Sequence, residues 1–94
     1  MNKQEFKTKA NKTIDRVSEK INELEKEKES AQAEAKSKYE ESLKELRSKR
    51  SELKSKYEEL ENASEEKWEE AKTAFDSAAD SFKEGWQKIS SVVS

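Results

Sequence analysis

From Phe6, steps of three and four residues trace one line along the whole chain: Phe6, Ala10, Ile14, Val17, Ile21, Leu24, Lys28, Ala31, Ala35, Tyr39, Leu43, Leu46, Arg50, Leu53, Tyr57, Leu60, Ser64, Trp68, Ala71, Phe75, Ala78, Phe82, Trp86, Ile89 and Val93. Of these 25 positions, 22 are apolar, out of 28 apolar residues in the chain. All seven aromatics lie on the line. A strand would alternate with period two; this spacing is that of an amphipathic α-helix. With no Pro and one Gly, little in the sequence interrupts such a helix. The expected fold class is therefore all-α: long amphipathic helices forming a coiled coil or a helical bundle.

The line advances 87 residues in 24 steps, a mean of 3.63. Strict heptads advance 3.5 and wind left-handed, whereas a straight helix advances 3.6. Residues 14–31 and 43–60 read as heptads, and the consecutive four-residue steps at 6–14, 31–43, 60–68 and 78–86 unwind the coil. Weak average supercoiling with local left-handed stretches is expected.

Only 30% of residues are hydrophobic and 45% are charged, a balance typical of disordered chains. The placement of the apolar residues argues otherwise, as does the share of Ala, Glu, Lys, Leu and Arg, 53 of 94 residues. A single helix of this length would extend about 140 Å and could not cover its own stripe. It must fold back or be covered by other chains. One helical unit over 1–94 is expected, with a long charged helix over 1–61 and an aromatic amphipathic helix over 65–91. The second either continues the first or follows a break near 61–66. Asn62 and Glu65 have the spacing of a capping box, and Ser64 is a further N-cap candidate. Against a turn there, no Gly or Pro is present and the seam passes through in phase, so both arrangements remain open. Between Lys28 and Ala35 the seam is thin, but its Ala residues favour helix, and no break is expected.

Charge is distributed in blocks. Residues 1–12 and 31–56 each carry net +3, and residues 57–70 carry net −6, within a chain of net −2. Most of these residues are expected to form a solvated face. Intrahelical pairs such as Glu34–Lys38, Glu40–Lys44 and Glu52–Lys56 would each add about 0.2–0.5 kcal/mol. The balanced charge gives no footprint for specific nucleic-acid binding. No apolar run is long enough to span a bilayer, and the basic start lacks a signal-peptide core, so a cytoplasmic location is expected.

The last quarter differs in kind. Trp68, Phe75, Phe82 and Trp86 alternate with small residues, which favours close interlocking of helices. The expected interaction seam comprises Ile14, Val17, Ile21, Leu24, Leu43, Leu46, Leu53, Leu60, Trp68, Phe75, Phe82, Trp86 and Ile89. Most of that stripe should be core, within one chain or between copies. A protein partner on the Trp68–Ile89 face and a membrane surface are the alternatives. Against anionic lipid, residues 71–94 carry three Lys and three acids. Fraying from Ser90 onward is expected.

Chemistry-bearing residues are sparse. There is no Cys or His, which removes thiol nucleophiles, the commonest general base and the usual soft metal ligands. Carboxylates concentrate between Glu58 and Glu70, but without an EF-hand or Glu-x-x-His pattern they read as a solvated acidic face. No catalytic residue, cofactor or metal is expected.

The stretch Tyr39–Trp86 resembles small bacterial coiled-coil proteins grouped as a stress-response family. The likeness lies in its Tyr-Glu entry, the Leu-Arg-x-Lys-Arg run at 46–50, the Glu-Leu-x-x-Ala-Ser junction at 59–64 and the Trp-Glu-x-x-Lys motif at 68–72. It covers about half of the chain, and the Ala63-Ser64 junction followed by Trp68 is its most specific part. The resemblance implies a bacterial, soluble, non-enzymatic protein without catalytic residues. Seam and resemblance together lead to the expectation of a structural or interaction protein that self-associates as a homo-oligomer. The alternative is a peripheral lipid-surface-binding amphipathic helix protein.

Overall fold

Three helices use up almost the whole chain: α1 (Lys3–Ser30), α2 (Ala33–Asn62) and α3 (Trp68–Val93). The computed structural model describes residues 2–93, with side-chain surroundings for residues 2–89. Seam position Val93 and the expected fraying from Ser90 fall outside those side chains. No strand occurs among the described residues.

The helices form an up-down-up bundle of 50 × 18 × 17 Å. Partner pairs fix the directions. Asn11 meets Tyr57, Glu25 meets Arg47 and Lys28 meets Glu40, so α1 and α2 are antiparallel. Lys49 meets Ser81 and Tyr57 meets Phe75, so α2 and α3 are antiparallel as well. Phe6 meets Trp68 and Lys20 meets Trp86, which leaves α1 and α3 parallel. Helix α2 touches both neighbours extensively, whereas α1 and α3 touch each other little.

Packing explains the bundle. Among the described side chains, sixteen hydrophobic residues are buried, and every one is a seam position. No polar or charged residue is buried among the described side chains. Ile21, Leu43, Leu46, Leu53 and Leu60 lie deepest. Burying a side chain of this size contributes about 1.5–3 kcal/mol relative to leaving it in water.

The long helix expected over 1–61 is instead two helices. Helix α1 stops at Ser30, and Ala31 and Gln32 have extended backbone before α2 begins. Nothing local commands this stop. There is no Gly, no Pro and no residue of positive φ, and the Gln32 side chain makes no capping hydrogen bond. The propensity argument for continuity was outweighed by tertiary burial, because one chain can cover its stripe only by reversing. Of the two arrangements left open near 61–66, the break is the one present, with residues 63–67 between α2 and α3. Its capping box is not formed: Asn62 closes α2, its side-chain amide donating to the Glu58 carbonyl at 2.9 Å. A related reciprocal pair occurs at the start of α1. Asn2 Oδ1 accepts from the Glu5 N–H at 2.8 Å, and Asn2 Nδ2 donates to the Glu5 carboxylate at 3.1 Å.

Gly85 is buried where α3 crosses α2. A Cβ there would lie 3.1 Å from Lys49 Cε and 3.6 Å from Leu46 Cδ2, so the missing side chain lets the helices approach closely.

Leu53→Ala should destabilise the bundle by about 2–5 kcal/mol, because truncating a fully buried side chain leaves a cavity. Urea unfolding followed by circular dichroism measures the loss. A cost below about 1 kcal/mol would contradict the packing described.

Candidate interaction surface

Seam residues converge from all three helices. Helix α1 supplies Val17, Ile21 and Leu24, all buried, and Ile14, which is half-buried. Helix α2 supplies Leu43, Leu46, Leu53 and Leu60, all buried. Helix α3 supplies Trp68, Phe75, Phe82 and Ile89, buried, and Trp86, half-buried. The structure thus brings the expected interaction residues together within one chain. Of that set, Ile14 and Trp86 retain appreciable exposure.

Two aromatic residues outside the expected interaction set, Phe6 and Tyr57, complete its densest cluster. Phe6 stands edge-on to Trp68, with centroids 5.9 Å apart, and to Phe75 at 6.1 Å. Tyr57 stands edge-on to Phe75 at 6.5 Å, and its hydroxyl accepts from Asn11 Nδ2 at 2.9 Å. Such edge-to-face pairs are worth about 0.5–1.5 kcal/mol beyond area burial. Both residues lie on the seam, and their ring size was the available signal. Cations cover the outer ring faces: Lys3 stands 5.4 Å from the Trp68 ring, Lys72 5.8 Å from Phe6 and Lys20 4.8 Å from Trp86.

The two charged seam positions, Lys28 and Arg50, are both half-buried. Lys28 extends across the first turn to Glu40, Nζ to carboxylate oxygen 2.9 Å. Glu40 therefore pairs back with Lys28 rather than forward with Lys44. Lys56 pairs with Glu59 rather than with Glu52. Arg47 reaches Glu25 on α1 at 2.6 Å. These pairs are solvent-accessible, and such bridges contribute about 0–1 kcal/mol each. The half-buried bond from Lys49 Nζ to Ser81 Oγ, 2.8 Å, ties α2 to α3.

Between the parallel helices α1 and α3 runs an open groove of about 630 Å³. Phe6, Ala10, Val17, Phe75 and Phe82 form its apolar lining. Its rim carries Lys9, Arg16, Lys20 and Lys83 against Asp76 and Asp80. Among the described residues, no group of three or more carboxylates is placed to hold a metal ion, and the expected acidic face of α2 and the second turn is largely exposed. No helix among them is long and apolar enough to cross a membrane.

No protein-family model matches the chain, and neither curated proteins nor solved structures include a significant match.

Two groups at the first turn have displaced acidities. Glu40 lies below the ordinary 4.5, because Lys28 donates a hydrogen bond to its carboxylate and stands beside it as a charge. Tyr39 lies above 10.0, because burial disfavours its anion and Glu27 adds negative charge and a long hydrogen-bond contact of 3.4 Å. The lowered Glu40 value means its contribution is present above the unfolded pKa and is lost as pH falls through the folded one. The raised Tyr39 value means its contribution is present below 10.0 and is lost as pH rises through the folded one. Carbon-detected NMR titration should find Glu40 below 4.5, and Lys28→Met should return it to that value. An unchanged Glu40 titration in Lys28→Met would contradict the ion pair.

Proposed function

We propose that this protein is a non-enzymatic helical interaction protein that recognises a second copy of itself through the seam. The observation that carries the proposal is the exclusive use of the seam. Every buried side chain described belongs to it, so the seam is the chemistry by which one helix of this sequence recognises another. The surface by which α1 recognises α2 in one chain is present, with the same order of side chains, in every other copy. The resemblance of residues 39–86 to small bacterial coiled-coil proteins supports a bacterial, soluble protein with a part in stress adaptation.

Sedimentation equilibrium tests this reading. The average mass should rise with concentration, and the melting temperature should rise with it, since association with the folded chain stabilises it. A monomer with a concentration-independent melt rejects self-association. Trp86→Ala is the suitable surface probe because Trp86 is half-buried. Trp68→Ala would instead remove a buried member of the aromatic cluster and weaken the fold.

A second reading, attachment to a lipid surface, is favoured by the α1–α3 groove. Buried apolar residues form its floor, and its rim carries four cations against two acids. In that case, vesicles containing anionic lipid should shift Trp emission to the blue. Unchanged emission at saturating lipid removes this reading.

A further inference from the structure

Both connections join helices whose seams are in register for one continuous helix, and the first does so with the shorter connection. Leu24, Lys28, Ala31, Ala35 and Tyr39 follow each other by four, three, four and four residues, with no slip across the turn. The turn itself is two residues, Ala31 and Gln32. Both are compatible with helix, neither has positive φ, and the Gln32 side chain provides no cap. By contrast, the second connection takes five residues and contains its own turn, with the Lys67 N–H bonded to the Ser64 carbonyl.

The pairs that hold α1 on α2 are also nearly symmetric about this turn. Residue 34 lies halfway between Asn11 and Tyr57, and halfway between Lys28 and Glu40. Residue 36 lies halfway between Glu25 and Arg47. If the turn straightens, α1, the two turn residues and α2 become one helix of about 90 Å. Two such helices laid antiparallel, crossing near residue 34, regain these pairs between chains: Glu25 with the second copy's Arg47, and Lys28 with the second copy's Glu40. At the crossing the seam residues are Ala31 and Ala35, small enough for close approach.

We propose that a second copy of this chain binds by exchanging α1 through straightening at Ala31–Gln32, giving a two-fold symmetric dimer built on the same α1–α2 packing. This rests on the self-association proposed above and specifies its route. The energetic logic is that of domain swapping: the packing given up within one chain is regained between two, so protein concentration tips the balance. The gain is hydrogen bonding through the former turn, and the cost is the entropy of joining two chains.

The test uses the full chain, in which two introduced thiols are unique because there is no native Cys. Glu25→Cys/Arg47→Cys replaces an exposed cross-helix pair and is refolded at low and at high concentration. A short bismaleimide linker is then added, and the products are separated on a denaturing gel. Exchange predicts a link within one chain after dilute refolding and a growing covalent dimer after concentrated refolding. Ala33→Pro in the same background should abolish the covalent dimer while leaving helicity unchanged. Proline is favoured at the first helical position, and Gln32 before it already has the extended backbone that proline requires. Within a continuous helix the same proline is excluded sterically. Gln32→Gly provides a milder variant, expected to lower the dimer association constant about tenfold because two hinges must become helical.

Sedimentation run alongside separates the two levels of the proposal. A chain that stays monomeric at high concentration overturns self-association and exchange together. Dimers whose linked thiols remain within one chain leave self-association standing and overturn exchange. Covalent dimers that persist in both hinge variants overturn the assignment of Ala31–Gln32 as the hinge.

Discussion

Burial of one narrow apolar stripe is the constraint on which the rest of this molecule depends. The chain has few hydrophobic residues, and a straight helix would leave nearly all of them in water. Reversal is the only way for a single copy to cover them. The result is a bundle in which every buried hydrophobic side chain among the described residues comes from the seam. Helix α2 benefits most, since both neighbours lie against it. The parallel pair α1 and α3 meets less closely, and the groove between them follows from that arrangement.

Tertiary demand overrides local preference at the first turn. Ala31 and Gln32 would join a helix readily, and the flanking residues favour helix as well. The turn is closed by pairs on either side of it, Lys28 with Glu40 and Tyr39 with Glu27, rather than by a cap or a left-handed residue. A reversal held from outside in this way is conditional on the packing that holds it. The same physical fact underlies both the bundle and the proposed exchange of α1.

Electrostatics serves mainly to trim the surface. The ion pairs are solvent-accessible, and cations stand over the outer faces of Trp68, Phe6 and Trp86 where apolar packing ends. The specificity of helix packing within the bundle therefore comes from the order of large and small seam residues and from a few cross-helix pairs such as Glu25–Arg47.

The helix period and most of the membership of the core, Trp68, Phe75 and Phe82 included, were legible in the sequence, because side-chain periodicity is a local property of the helix. The break after Asn62 was legible as one of two alternatives, from the polar residues between Leu60 and Trp68. The stop at Ser30 was not, since no residue there terminates a helix by its own chemistry. Nor was the partnership of Phe6 with Trp68 and Phe75, which depends on α1 and α3 lying parallel after two reversals. The sequence by itself determined which side chains must leave water. Only the tertiary structure decided what covers them, because an in-phase seam is satisfied equally by a helix folded on itself and by one laid against another, and that choice depends on contacts distant in sequence.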